Sequence, residues 1–209
     1  MHKPSGLVTY SDTPGVAGAK EVLEKQLGRR LFPVHRIDKD TCGVLVFALS
    51  EAASRSLTEL FRSRVVKKQY LAVVHGLAPA RGVIDTPLEK HKGAGTEPAV
   101  TEFARLGTAE VEWDGEKRVY SLVRCEMKTG RYHQVRRHLR SIGHPLCGDP
   151  EHGNAWDNRA FHERFGVSRT LLCAAQVSFP DRVAQKMERV KTSPDPDFQR
   201  VLKAFGWKA

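Results

Sequence analysis

Apolar and polar positions alternate along the chain with the periods of both helices and strands. Helical spacing predicts four helices: residues 17–27, a helix capped by Ser50 that carries Leu57, Leu60 and Phe61, residues 133–142, and a last helix that begins at Asp195 and Pro196. Apolar or alternating runs predict strands at residues 44–48, 68–75, 100–106, 118–127 and 170–179.

The segments between these elements define the expected connections. In the first helix Val22, Leu23 and Leu27 share one face, and Gly28 is placed to end it. Residues 77–98 are rich in Gly, Pro and charge, which favours a long surface loop. Residues 113–115 are placed to join two strands as a hairpin. Helices and strands are mixed without strict alternation, which predicts an α+β fold.

Charge changes the picture more than overall composition does. Of the 209 residues, 34 are Lys or Arg and 24 are Asp or Glu, giving a net charge of +10. Such an excess favours a polyanionic partner, because neutralising phosphates releases condensed counterions. Charge alone leaves nucleic acid and an anionic membrane surface both open, but no apolar run is long enough for a membrane helix.

Four widely spaced cysteines argue against both zinc and disulfide chemistry. They are Cys42, Cys125, Cys147 and Cys173, with no CxxC pair and no histidine at ligand spacing. We therefore expect reduced thiols in a cytoplasmic protein and no bound metal.

Three segments carry candidate chemistry. In HRIDKDTCG (35–43), Asp38 follows a basic pair and precedes a predicted strand; it is either a reactive carboxylate or a surface aspartate paired with a neighbouring cation. In KKQYLAVVHG (67–76), Tyr70 lies in an apolar strand and is either a site residue or an ordinary core tyrosine. The basic helix at 133–142 offers arginines either to phosphate groups or only to solvent.

These segments together resemble the signature segments of RluA-type pseudouridine synthases. They are HRIDKDTCG, KKQYLAVVHG and TGRYHQVRRHLRSIGHPLCGD (129–149), preceded by KPSGLVTY (3–10), and they occur in the family's order. Cys42 stands where the family usually has Ser, and Tyr132 where it has Thr or Lys. The resemblance implies one catalytic domain over residues 1–209, with a mainly antiparallel sheet, flanking helices and a central cleft. It also implies that the family's first strand and its S4-like module are absent here.

Within that family the chain resembles the TruC-type subgroup, which acts on tRNA uridine 65. The resemblance is carried by EPAVTEF (97–103), residues 118–139, GDPEHGNAWDNRAFHERFGVSR (148–169) and FGWK (205–208). It favours tRNA as the substrate, with ribosomal RNA as the alternative within the same family, and it implies a monomer and no cofactor. The loop at Lys90–Lys92 and residues 154–169 are candidate additional RNA contacts.

The resemblance also assigns roles to single residues. Asp38 matches the essential carboxylate, which acts at the ribose or at uracil C6. Arg136 matches the arginine that pairs with it, and Tyr70 the tyrosine that stacks on the uracil. Arg36 matches the wedge that fills the space of the flipped base. The remaining predicted RNA-binding residues are His35, Arg131, His133, Gln134, Arg137 and Arg140.

Two other classes of protein remain as alternatives. A non-catalytic RNA-binding protein would explain the net charge but not the ordered Asp, Tyr and Arg set. A glycosidic-bond hydrolase would need a second carboxylate at a defined separation, and the sequence offers no evident partner for Asp38.

Overall fold

The computed structural model describes residues 1–90, 95–113, 115–181 and 185–208. Its helices are α1 (Ala19–Leu27), α2 (Glu51–Arg62), α3 (Gln134–Ser141), α4 (Ala155–Phe165) and α5 (Pro196–Ala204). Its strands are β1 (His2–Lys3), β2 (Phe32–Pro33), β3 (Cys42–Val44), β4 (Phe47–Ala48), β5 (Lys67–His75), β6 (Arg81–Ile84), β7 (Leu88–Glu89), β8 (Thr96–Glu97), β9 (Thr101–Trp113), β10 (Glu116–Met127), β11 (Leu172–Asp181) and β12 (Lys186–Lys191).

This mixture of helices with mainly antiparallel strand pairs confirms the predicted α+β class. The chain divides into two compact units. Unit 1 comprises Met1–Lys68 and Ala174–Ser193, and unit 2 comprises Gln69–Cys173 and Pro194–Ala209. No helix among the described residues is long and apolar enough to cross a membrane.

In unit 1 the predicted strand at 44–48 was wrong as a single element. β3 pairs antiparallel with β1, whereas β4 pairs with β2 in a separate small sheet. Leu45 continues the pairing of β3, because it exchanges two backbone hydrogen bonds with Met1, at 3.0 and 2.9 Å. The N–H of Val46 donates to a histidine ring, so the pairing with β1 ends there. Hydrophobicity alone did not reveal this break.

The predicted helix ends in unit 1 are confirmed. Ser50 accepts a hydrogen bond from the N–H of Ala53 and begins α2. Gly28 adopts φ 63° and ends α1, a conformation that costs glycine little. The predicted apolar face of α1 is only partly buried, because Val22 and Leu27 are 37% and 55% exposed.

Unit 2 is organised by a long hairpin. β9 and β10 pair from Thr101 and Met127 to the turn, with a register shift between Leu122 and Val123, so both strands are longer than predicted. β6 adds to β9, and β7 pairs with β8. The prediction of a surface loop over 77–98 was therefore wrong in part, because its Gly and Pro content concealed three short strands.

Unit 2 contains three of the described helices and an aromatic cluster to which α4 contributes. α3 lies within the predicted span, and α5 begins at Pro196 after Asp195, as predicted. The sequence did not predict α4, although Asn154 caps it with its side chain and Gly166 ends it at φ 65°. The cluster joins β9, β10, α4 and the C-terminal residues through Trp113, Tyr120, Phe161, Phe165, Phe205 and Trp207.

Candidate active site

The loop that carries Asp38 is held by a buried lysine. The ammonium of Lys3, whose residue is 0% exposed, donates to the carbonyls of Pro4, Leu7 and Lys39 at 2.9, 2.6 and 2.9 Å. These carbonyls take the place of water around the charge, which makes its burial tolerable. The segment KPSG thus fixes the residue that follows Asp38.

Further hydrogen bonds tie the same two segments together. The hydroxyl of Thr9 donates to Ile37 O at 3.1 Å and accepts from the Ile37 N–H at 3.2 Å. Ser5 donates to Asp40 O, and Asp38 O accepts from the Thr41 N–H. Hydrogen bonds therefore hold the backbone carbonyls of residues 37–40, while the Asp38 side chain is only half-buried.

The basic pair before Asp38 divides into an anchored and an exposed residue. His35 Nε2 accepts from the Val46 N–H at 3.0 Å, and its ring stacks on Phe61 with centroids 4.7 Å apart. Burial, assisted by the charge of Lys68, lowers the pKa of His35 to about 4, so the ring is neutral at pH 7. Arg36 is exposed, and its side chain is accessible to a ligand.

Tyr70 lies on β5 in unit 2 and is 8% exposed. Its burial fits a packed tyrosine as well as a residue that a flipped base would cover. The predicted role in catalysis therefore stays a prediction.

Arg136 forms a buried ion pair that the sequence did not predict. Its Nε and Nη2 donate to the two carboxylate oxygens of Asp149, each at 2.6 Å. The side chains of Arg136 and Asp149 are 5% and 0% exposed. This two-bond geometry fixes the plane of the guanidinium.

Asp149 also organises the turn that follows it. Its Oδ1 accepts the N–H groups of Glu151 and His152 at 3.0 and 2.9 Å. Burial alone would raise the pKa of Asp149, but the hydrogen bonds from Arg136 and the turn hold it below its usual value. Nothing in the local sequence around Asp149 shows that it pairs with an arginine 13 residues before it.

α3 presents fewer free cations than its sequence suggests. Arg137 is half-buried and donates to Glu89 O at 2.9 Å, and Arg131 pairs with Glu97 at 2.7 Å. Gln134 is 2% exposed, with its amide bonded to Thr129, Arg131, Val100 and Thr101. We therefore leave Gln134 out of the RNA contacts proposed below. Arg140 is exposed.

Three polar side chains converge beside Arg136. Nδ1 of His133 lies 3.1 Å from Nε2 of His152, and the carboxylate of Glu151 lies 3.4 and 3.3 Å from the same two nitrogens. Burial and the charge of Arg136 lower the pKa of His133 to about 4, and burial also lowers that of His152. Both rings are neutral at pH 7.

The two candidate recognition segments are partly described. His91 and Lys92, from the predicted loop at Lys90–Lys92, lie outside the described residues. In residues 154–169, Trp156 is 56% exposed and lies under the guanidinium of Arg118, 4.2 Å from its ring centre. Arg159 is exposed and pairs with Glu163 on α4.

Comparison with known proteins shows to which family the chain belongs. The model of the RNA pseudouridylate synthase family matches residues 1–141. The chain is 33% identical to tRNA pseudouridine synthase C of Haemophilus ducreyi, covering 99% of this chain and 91% of that protein. It is 31% identical to tRNA pseudouridine synthase C of Vibrio cholerae, covering 100% and 92%.

Solved structures agree on the fold. Human RNA pseudouridylate synthase domain containing 1 superposes with a TM-score of 0.74 at 25% identity, covering 93% of this chain and 78% of that one. Human RNA pseudouridylate synthase domain containing 4 gives 0.75 at 23% identity, covering 100% and 89%. The chain belongs to the RNA pseudouridylate synthase family, whose members are isomerases that convert uridine to pseudouridine in RNA.

Proposed function

We propose that this chain is a tRNA pseudouridine synthase that isomerises uridine 65, using Asp38 as its essential carboxylate. The observation that carries the choice of tRNA is the 33% identity, over 99% of the chain, to a relative named for that substrate. The TruC-type resemblance supports position 65. We further propose that the enzyme works as a monomer in the cytoplasm.

Asp38 suits a catalytic role because its support is rigid and its carboxylate is reachable. Lys3, Thr9 and Ser5 fix the backbone on both sides of it, while the side chain stays half-buried. A carboxylate held in this way can attack as a nucleophile or remove a proton, and both routes remain open for this reaction.

Arg136 and Tyr70 complete the proposed catalytic set. Asp149 holds the Arg136 guanidinium in one plane, which suits an arginine that must aim at a second carboxylate. Tyr70 supplies an aromatic ring for stacking on the target uracil and a hydroxyl for proton removal at C5. Arg36, exposed two residues before Asp38, is the proposed wedge.

RNA contacts are proposed for exposed and half-buried arginines of both units and for two histidines that are neutral at pH 7. They are Arg36, His35, Arg131, His133, Arg137 and Arg140, with Trp156 and Arg159 as further candidates from the 154–169 segment. An A-form stem is recognised mainly by its shape, backbone and 2′-hydroxyls, which suits dispersed cations.

The test uses unmodified tRNA and ribosomal RNA transcripts labelled with tritium at uracil C5. Release of tritium together with pseudouridine mapped at tRNA position 65 is the expected result. Modification confined to ribosomal RNA would overturn the substrate and leave the family assignment intact. Release of free uracil would indicate a hydrolase, and binding without any change would indicate a non-catalytic RNA-binding protein.

A further inference from the structure

Among the described residues, His133, Glu151 and His152 form a group of the kind that holds a metal ion. Their ligand atoms belong to the start of α3 and to the turn after Asp149, 18 residues further along the chain. The role proposed above uses none of them as a metal ligand. The expectation of no bound metal came from the spacing of cysteines and histidines along the chain, which does not show which side chains the fold brings together.

The distances between the three groups match those around a bound ion. The two ring nitrogens are 3.1 Å apart; Oε2 of Glu151 lies 3.4 Å from Nδ1 of His133, and its Oε1 lies 3.3 Å from Nε2 of His152. Nitrogen and oxygen ligands at about 2.0–2.2 Å from one zinc ion are roughly 3.0–3.5 Å from each other. An ion can therefore sit among the three groups with little movement of the chain.

One hydrogen bond already links the two rings, because an N–H of one can donate to the ring nitrogen of the other at 3.1 Å. The ionised carboxylate of Glu151 offers only lone pairs to the same two rings. A central cation would replace the bond between the rings and accept lone pairs from all three groups.

The surrounding structure holds the groups in place. His133 has φ 50° and ψ 33°, a left-handed conformation that is uncommon for histidine and recurs at ligand sites. Asp149 fixes the backbone N–H groups of Glu151 and His152 while its carboxylate is bonded to Arg136. Ligands supported in this way need little reorganisation to bind.

The local charge also favours a cation. Arg136 Nη2 lies 3.9 Å from Glu151, but Asp149 already neutralises that arginine, so the cluster with its supports keeps a net negative charge.

We propose that His133, Glu151 and His152 bind one divalent first-row transition metal ion, with zinc as the best fit. Two imidazoles and a carboxylate favour zinc or its neighbours over magnesium, which prefers oxygen ligands. Three protein ligands leave one position for water, and the half-exposed Glu151 side chain leaves that position open to solvent. The ion would fasten the turn at 151–152 to the start of α3.

The experiment is a titration of chelator-treated full-length protein with zinc, followed by calorimetry and by thermal unfolding. We expect one ion per chain, a Kd of micromolar or tighter, and a Tm that rises with zinc. Cobalt should bind at the same site and give visible absorption bands of four- or five-coordinate geometry.

Matched variants assign the site. His152→Ala and Glu151→Gln should each weaken zinc binding at least tenfold and abolish the cobalt bands. His162→Ala removes an exposed histidine of α4 and should change neither. Glu151→Gln alters a side chain that is 51% exposed, so it should fold even where a histidine variant does not.

Two results would overturn the proposal: no zinc binding at about 100 μM, which is far weaker than built sites, or binding that His152→Ala and Glu151→Gln leave unchanged. Neither readout depends on RNA or turnover. The metal site and the proposed pseudouridine synthesis therefore stand or fall separately.

Discussion

Asp38 and Asp149 are two aspartates in opposite environments. Asp38 lies on a loop whose backbone is fixed by Lys3, Thr9 and Ser5, while its side chain is half-buried. Asp149 is 0% exposed at its side chain, and its carboxylate accepts two hydrogen bonds from Arg136 and two from the following turn. The hydrogen bonds described for Asp38 hold its backbone, and those described for Asp149 hold its carboxylate.

The difference indicates what each residue contributes. A carboxylate surrounded by donors is stabilised as an anion, so it is a weak base and a poor nucleophile. A carboxylate on a loop whose backbone is anchored gains a fixed position, which catalysis requires. We therefore expect Asp38 to matter for rate and Asp149 for stability.

The largest expected effect is on turnover in Asp38→Asn. The amide keeps the shape but loses the charge, so pseudouridine formation should fall by at least about a thousandfold. The free energy of unfolding should stay within about 0.5 kcal/mol of wild type. Tritium release and urea denaturation measure the two quantities.

Asp40→Asn is the matched control, since Asp40 lies on the same loop and it is its backbone carbonyl that accepts the hydrogen bond from Ser5. It should keep turnover within a few fold. If Asp38→Asn retained a tenth of wild-type activity, or Asp40→Asn lost as much as Asp38→Asn, the assignment would be wrong.

The second effect is on stability in Asp149→Ala. The change leaves the Arg136 charge buried without its partner, which costs about 3–5 kcal/mol when a buried pair is broken. Urea denaturation at pH 7 would measure it. A loss below about 1 kcal/mol would mean that water solvates Arg136 readily.

Acidity sharpens the same comparison. Because the pKa of Asp149 is lowered in the folded state, its contribution is complete above the unfolded pKa and is lost as pH falls through the folded one. Between pH 5 and pH 2, wild type should therefore lose more stability than Asp149→Asn. The extra loss should be about 1.4 kcal/mol for each unit by which the pKa of Asp149 differs between the folded and unfolded states. Parallel acid-denaturation curves would contradict this.

Tyr70 combines the burial of Asp149 with a proposed catalytic role like that of Asp38. Tyr70→Phe keeps the stacking ring and removes the hydroxyl, so RNA affinity should persist while turnover falls at least tenfold. Tyr70→Leu should weaken both. Wild-type rates in Tyr70→Phe would leave this side chain as a stacking or packing residue, like Asp149 a support rather than a reactant.

The smallest expected effect concerns two arginines of α3 that differ in their anchoring. Arg140 is exposed, so Arg140→Ala should reduce the slope of log affinity against log salt by about one. Arg137 is already bonded to Glu89 O, and Arg137→Ala should reduce the slope less. Filter binding across salt concentrations would measure both, and equal slopes for the two variants would contradict the distinction.

Local signals predicted local structure well. Ser50 and Gly28 marked helix ends because capping depends on a few adjacent residues. The hairpin of β9 and β10 followed from alternating residues, although its length did not, because pairing continues through polar positions. β7 and β8 were missed because each has only two residues and no periodic pattern.

The site was predictable only as far as motifs reach. The resemblance nominated Asp38, Tyr70 and Arg136, but the partner of Arg136 at Asp149 depends on how α3 folds back on the turn. The same holds for His133 and His152, which become neighbours only through that turn. Burial of Gln134 was equally invisible, since a polar residue on a basic helix looks exposed in sequence.

Lys3 has a consequence for how the Asp38 loop forms. Its ammonium gathers carbonyl oxygens from residues 4, 7 and 39, as a bound potassium or sodium ion would, but it is tethered to the chain. Because the ammonium is part of the chain, its effective concentration at these carbonyls is fixed by the fold and does not depend on the salt in solution. The geometry around Asp38 should therefore be indifferent to which monovalent salt is present. Because Lys3 lies on β1, we expect the Asp38 loop to reach its final shape only after β1 has paired with β3.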